Sequence, residues 1–101
     1  IALDNLDEIL KVDHIDVFLV GPGDMSQSMG HLGEPFHPEV TRALEDAVKQ
    51  IVSAGRIPGT VGNHSNVARY MELGARFFLT SPLEWIDTGY QDLRARVGAT
   101  R

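Results

Sequence analysis

The chain has no cysteine in its 101 residues, which excludes disulfide staples and thiolate metal sites and suits a reducing cytosol or a disulfide-free secreted chain. A cytoplasmic location is taken by default. No apolar run approaches the roughly 18 to 20 residues that cross a bilayer, and no basic stretch leading into an apolar core opens the chain. An excess of basic residues is also missing: nine Lys and Arg stand against fourteen Asp and Glu, a net charge of −5. With the basic residues scattered, neither nucleic acid nor an anionic membrane is expected as a partner. There is no serine nucleophile elbow and no phosphate-binding Gly-x-Gly-x-x-Gly. No lysine stands at a strand end, because Lys11 and Lys49 fall on helical stretches, so covalent imine chemistry is disfavoured.

What is present is an ordinary globular composition, 43% hydrophobic and 23% charged, sufficient for a packed core. The length allows one small domain, whereas a parallel (β/α)8 barrel needs about 250 residues. No initiator Met precedes Ile1 and a helix begins almost at once. Residues 1–101 are therefore expected to form a single partial domain of a larger fold, inactive and prone to self-association if made alone.

Hydrophobic periodicity predicts the elements. Asp4 to Leu10 offers a cap, acidic first-turn groups and an apolar face of Leu6, Ile9 and Leu10, so a short amphipathic helix is expected. Ile15 to Val20 is a β-branched and aromatic run of the kind buried in parallel sheets, ending at Gly21-Pro22. Met25 to Pro38 reads as a long loop with one helical turn near Ser26 to Met29, and loops of that length are usually functional. From Pro38, apolar residues at Val40, Leu44, Ala47, Val48, Ile51 and Val52 predict a helix closed by Gly55. A strand over Ile57 to Val61, a helix over Asn66 to Leu73 stopped by Gly74, a strand over Arg76 to Thr80 and a helix over Leu83 to Val97 complete an α/β order. Connections this short require parallel crossovers.

Ligand sites in such sheets lie at the C-terminal strand ends, which here are Gly21 to Asp24, Thr60 to Asn63 and Thr80 to Glu84. Asp24 follows Gly21 and Gly23, whose missing side chains let an anion approach main-chain N–H groups. A hard oxygen ligand beside free donors suits an oxoacid bound to Mg²⁺ or Mn²⁺. On spacing alone the plainer role of Asp24 is an N-cap for the following turn. Glu84 reads as a first-turn acid on an exposed helix face. His31 and His37 lie six apart with no third nitrogen or sulfur ligand nearby, a spacing that matches no zinc pattern. They read as loop-packing or substrate-edge residues, His14 and His64 as ordinary loop or helix-end histidines, and Trp85 as a core or subunit-contact anchor.

The blocks Asn5-Leu-Asp-Glu-Ile9, Val20-Gly-Pro-Gly-Asp-Met-Ser-Gln-Ser-Met-Gly-His-Leu-Gly33, His37-Pro-Glu-Val40 and Arg69-Tyr-Met-Glu-Leu-Gly-Ala-Arg-Phe77 together resemble the metal-dependent (class II) pyruvate aldolases, typified by 4-hydroxy-2-oxoheptanedioate aldolase. The likeness runs from about Asn5 to Phe78. It implies the C-terminal part of a TIM barrel of the phosphoenolpyruvate/pyruvate superfamily, this chain supplying its last three β/α units. By that resemblance Asp24 is one ligand of a divalent cation (Mg²⁺, Mn²⁺ or Co²⁺), and a strand-end Glu expected a few residues upstream of Ile1 is the other. The N–H groups of Gly23 and Asp24 would hold the pyruvate carboxylate, and Val61 would touch the apolar side of the substrate. The family often has Ala or Ser where Gly23 stands, and its Arg and His near the keto group and aldehyde lie on earlier strands.

The implied reaction is retro-aldol cleavage of a 4-hydroxy-2-oxoacid to pyruvate and an aldehyde through a metal-stabilised enolate. A homo-oligomer is implied as well, since the family's last helix often packs on a neighbouring subunit. Beyond Phe78 the chain departs from the family, reading Leu79-Thr-Ser-Pro-Leu-Glu-Trp85 where a glycine- or valine-rich strand end and Ser-Asp are common. Two other readings stand beside this one. The first is a non-catalytic fragment or degenerate relative with an assembly or ligand-binding role. The second is a lyase of acyl-CoA esters, which would need a basic nucleotide-binding cluster that the sequence lacks.

Overall fold

The computed structural model describes residues 2–99. Among them a 3-10 turn (Leu3–Asn5) leads into α1 (Leu6–Ile9), β1 (Phe18–Val20), α2 (Pro22–Ser28), α3 (Pro38–Ser53), β2 (Pro58–Val61), α4 (Val67–Leu73), β3 (Phe77–Leu79) and α5 (Pro82–Ala99). The strands form one parallel sheet in the order β1-β2-β3, so the α/β expectation holds. No helix among the described residues is long and apolar enough to cross a membrane.

Helix α3 organises the packing. Pro38 occupies its first turn, where a missing N–H costs nothing, and Gly55 in the left-handed region (φ 73°) ends the segment. Val40, Leu44, Val48 and Ile51 recur at spacings of three and four and are fully buried, each stabilising the fold by about 1.5–3 kcal/mol. One flank of α3 packs with Met25, Tyr70 and Ala75, and the other packs with Leu6, Leu10 and Phe18. Glu45 of α3 accepts two hydrogen bonds from Arg69 of α4, at 3.1 and 3.0 Å. That bond, opposed by burial, holds the Glu45 carboxyl below its ordinary pKa. The pair contributes above the usual carboxylate range and is lost as pH falls through it, and its half-exposed arginine keeps the contribution small.

Strand register divides the sheet into two faces. Leu19, Gly59 and Phe77 are aligned, as are Val20, Thr60 and Phe78, with Val61 opposite Leu79. Phe18, Pro58 and Thr60 face the helices and are buried, whereas Leu19, Val61, Phe77 and Leu79 form an apolar face left exposed among the described residues. Pro58 is tolerated because it opens its strand. Packing disfavours a side chain at Gly59: a Cβ there would lie 3.0 Å from Val17 Cγ1 and 3.1 Å from the Phe77 side chain.

Several boundaries differ from the sequence reading. Strand pairing in β1 begins at Phe18 rather than Ile15, because residues 10–15 are tied elsewhere. His14 adopts φ 64°, and the Arg56 guanidinium donates to the carbonyls of Leu10, Val12 and Ile15 while lying 4.5 Å over the Phe18 ring. The stretch expected as loop from Met25 begins instead as α2, which starts at Pro22 with Gly21 as an extended N-cap. A Gly-Pro pair that reads as a strand stop is here a helix start. Val52, expected on the buried stripe, is 43% exposed. Helix α5 buries no residue, and the molecule is elongated, 59 Å on its long axis against 28 and 20 Å on the others.

Two stability experiments on the intact protein follow. Gly74 closes α4 at φ 110°, and a Cβ there would meet Val52 Cγ2 at 2.7 Å, whereas a Cβ on Gly55 meets open space. Gly55→Ala should cost about 1–2 kcal/mol for the left-handed backbone, and Gly74→Ala about 1 kcal/mol or more beyond that for the overlap. Urea unfolding checks the order, and equal losses would contradict it. Arg56→Lys keeps the charge but loses the planar fork, so amide exchange across residues 10–16 should accelerate roughly tenfold or more; unchanged protection would remove Arg56 as the clamp.

Candidate functional site

Because the strands are parallel, their C-terminal ends share one edge of the sheet. At the end of β1, Gly21 turns the chain into α2, and Asp24 falls in its first turn, third after that cap. Asp24 is therefore not the N-cap that spacing alone favours; Gly21 holds that position and makes no side-chain cap. The Asp24 carboxylate is exposed, and no hydrogen bond or ion pair with a described residue reaches it. An Oδ2 atom lies 3.4 Å from where a Gly21 Cβ would stand, and a Cβ on Gly23 would meet nothing within 4 Å. The first intrahelical bond in this turn is Met25 N–H to Gly21 O at 3.0 Å, which leaves the N–H groups of Gly23 and Asp24 without main-chain acceptors. Ser26, buried beneath, donates to Gly23 O at 2.7 Å and fixes the turn.

Asp24 lines two adjoining hollows of ≈ 360 and ≈ 280 Å³. Their walls are mostly apolar, formed by Leu3, Met25 and Met29 in one and Leu6, Phe18 and Val20 in the other, with Asp4 the second carboxylate. Val61 closes β2 on the same sheet edge, over one third exposed. Neither Val61 nor Gly23 lines these hollows, so of the three expected substrate residues only Asp24 borders them. As a hard, unpaired oxygen donor Asp24 fits one position in the shell of a Mg²⁺- or Mn²⁺-type cation, which is commonly held by one or two carboxylates plus water.

At the third strand end a smaller hollow of ≈ 170 Å³ lies among Asn63, His64, Val67, Thr80 and Trp85. Glu84 sits in the first turn of α5, as expected, 4.0 Å from His64 Nδ1. Trp85 is 54% exposed, so it is not a core anchor of this chain. Asn63 Oδ1 accepts from the N–H groups of Ser65 and Asn66 at 2.8 and 3.0 Å, which supplies the local turn that precedes α4.

One grouping was missed by the sequence reading. His31 and His37 stack with ring centroids 3.6 Å apart and planes 13° off parallel. Glu39 joins them: its Oε2 lies 2.9 Å from His31 Nε2, and its N–H donates to His37 Nδ1 at 3.2 Å, so His37 caps α3. One donor atom from each of the three residues lies within 4.8 Å of the others. The His31 hydrogen bond is the main cause that holds the Glu39 carboxyl below its ordinary pKa. A search for a third nitrogen or sulfur overlooked the oxygen donor two residues past His37.

The HpcH/HpaI aldolase/citrate lyase family matches residues 1–81. A 4-hydroxy-2-oxo-heptane-1,7-dioate aldolase of Klebsiella pneumoniae is 52% identical over 77 residues, covering 75% of this chain and 29% of that protein. The enzyme of the same name from Salmonella paratyphi B is 43% identical over 106 residues, covering 99% of this chain and 39% of that protein. Among solved structures, a HpcH/HpaI aldolase/citrate lyase family protein from Burkholderia cenocepacia superposes with a TM-score of 0.80 at 28% identity, over 94% of this chain and 38% of the other. The chain thus spans 29–39% of the length of these curated relatives. With four fifths of its length matched and relatives that are named aldolases, the chain belongs to the HpcH/HpaI aldolase/citrate lyase family, a family of lyases.

Proposed function

We infer that this chain is the C-terminal part of a (β/α)8 barrel that cleaves a 4-hydroxy-2-oxoacid to pyruvate and an aldehyde with the aid of a divalent cation. The observation that carries this reading is the Asp24 carboxylate, exposed and unpaired at a parallel strand end, in a chain 52% identical over 77 residues to a named aldolase. The uncovered apolar face of Leu19, Val61, Phe77 and Leu79, together with the short outer strands, supports closure by further strands.

In this account Asp24 holds one position of the cation, and the N–H groups of Gly23 and Asp24 bind the carboxylate of the oxoacid. Val61 packs against the substrate's apolar side and excludes water. When bound, a Mg²⁺, Mn²⁺ or Co²⁺ ion supplies positive charge where negative charge develops as the carbon–carbon bond breaks.

A homo-oligomer belongs to the same proposal. Leu83, Ile86, Tyr90, Leu93 and Val97 follow one another at spacings of three and four along α5, each at least half exposed. An apolar seam with that spacing is the kind one helix presents to another, and Trp85 adds an exposed aromatic beside it.

Three outcomes test these assignments in the intact protein. Loss of outer-sphere partners alone costs 10–100-fold, so Asp24→Asn should lower metal-dependent pyruvate release by more than about 100-fold. Gly23→Ala, with open space for its methyl, should stay within about threefold of wild type. Comparable activities for the two variants, or no pyruvate from any 4-hydroxy-2-oxoacid with Mn²⁺, Mg²⁺ or Co²⁺, would defeat the reading. Ile86→Glu with Leu93→Glu should shift the light-scattering mass to that of a smaller assembly; an unchanged mass would detach α5 from oligomer contacts.

A further inference from the structure

The geometry points to a second metal site, separate from Asp24, in which His31, His37 and Glu39 take a borderline-soft transition-metal ion of the Zn²⁺ type. The donors are two imidazole nitrogens and one carboxylate oxygen, a set that suits Zn²⁺, Co²⁺ or Ni²⁺ better than Mg²⁺. Asp24 offers only oxygen, so Zn²⁺ would favour the nitrogen-bearing cluster and Mg²⁺ the Asp24 position.

The backbone that carries the cluster is ordered before any ion arrives. Residues 29–37 pass through tight turns, with Gly30 and Gly33 at φ 82° and 80°. They are pinned by successive main-chain bonds: His31 N–H to Ser26 O at 2.7 Å, Glu34 N–H to His31 O at 2.9 Å, and His37 N–H to Glu34 O at 3.0 Å. Thr41 N–H to His37 O at 2.9 Å continues this ladder into α3. The loop thus carries His31 back onto the start of α3, where His37 and Glu39 already stand. The backbone therefore needs little further ordering on binding, and the side chains alone have to rearrange.

Zinc bonds of about 2.0–2.1 Å at tetrahedral angles place donor atoms roughly 3.3 Å apart. The His31 Nε2 to Glu39 Oε2 pair, at 2.9 Å, is already within that range, and the full triad falls inside 4.8 Å. Closing the remaining gap requires the stacked rings to splay by side-chain rotation, which the partly exposed setting of His31 and His37 permits. An ion seated there takes the place of the proton between His31 and Glu39 and competes with the Glu39 N–H for His37 Nδ1. Water would complete the shell, as at three-ligand zinc sites. The ion would fasten the loop that follows α2 to the N-terminus of α3.

The test uses the intact protein after chelation, titrated with Zn²⁺ against a chromophoric competitor and with Co²⁺ as an absorption probe. Asp24→Asn should leave this binding event in place, with tetrahedral Co²⁺ bands retained. His31→Gln and Glu39→Gln should each weaken Zn²⁺ binding at least tenfold. His37→Asn keeps an effective N-cap residue while removing the ring, so a loss of binding in a stably folded His37→Asn variant belongs to coordination. Zinc binding that survives all three substitutions, or that disappears in Asp24→Asn alone, would overturn the proposal while leaving the lyase reading intact.

Discussion

The buried stripe of α3 is the contact on which the remaining geometry depends. Val40, Leu44, Val48 and Ile51 sit between two apolar clusters, one reaching α2 and α4 and the other reaching α1 and β1. Val20, the last residue of β1, touches both clusters. The strand end that delivers Asp24 is therefore braced from two sides, and Met25, next to Asp24, is itself part of the core. A carboxylate left in solvent on such a support is held in place without being neutralised.

That arrangement places rigidity and chemistry on neighbouring residues. Gly21 and Gly23 leave the edge of β1 open, Ser26 is buried and locks the turn from below, and Asp24 presents its carboxylate there. The helix side of the sheet is sealed by Phe18, Pro58 and Thr60, while its other side is left apolar and bare. The apolar sheet face, the α5 seam and the Asp24 carboxylate share one physical character: each is exposed among the described residues.

Much of this was legible in the sequence. The stripe of α3, the left-handed stop at Gly74 and the three short strands follow from periodicity and from residues with one strong backbone preference. The start of α2 was not, because Gly-Pro-Gly satisfies turn rules and helix-start rules alike, and packing of Met25 and Ser26 decides between them. The same ambiguity made Asp24 look like a cap, when Gly21 already fills that position. Ile15 has strand propensity, but the carbonyl contacts of Arg56 draw its segment out of the sheet, a contact 41 residues away in sequence that no local pattern records. Glu39 was read as part of a helix and so was never counted with the two loop histidines. Trp85 is exposed because α5 buries no residue among the described ones.

The central claim is that Asp24 is a metal ligand at a strand end, and crystals of the intact protein grown with Mn²⁺ test it most directly through anomalous scattering. The account predicts a peak about 2.0–2.3 Å from an Asp24 carboxylate oxygen. A well-ordered manganese site elsewhere, with Asp24 still free in solvent, would contradict it.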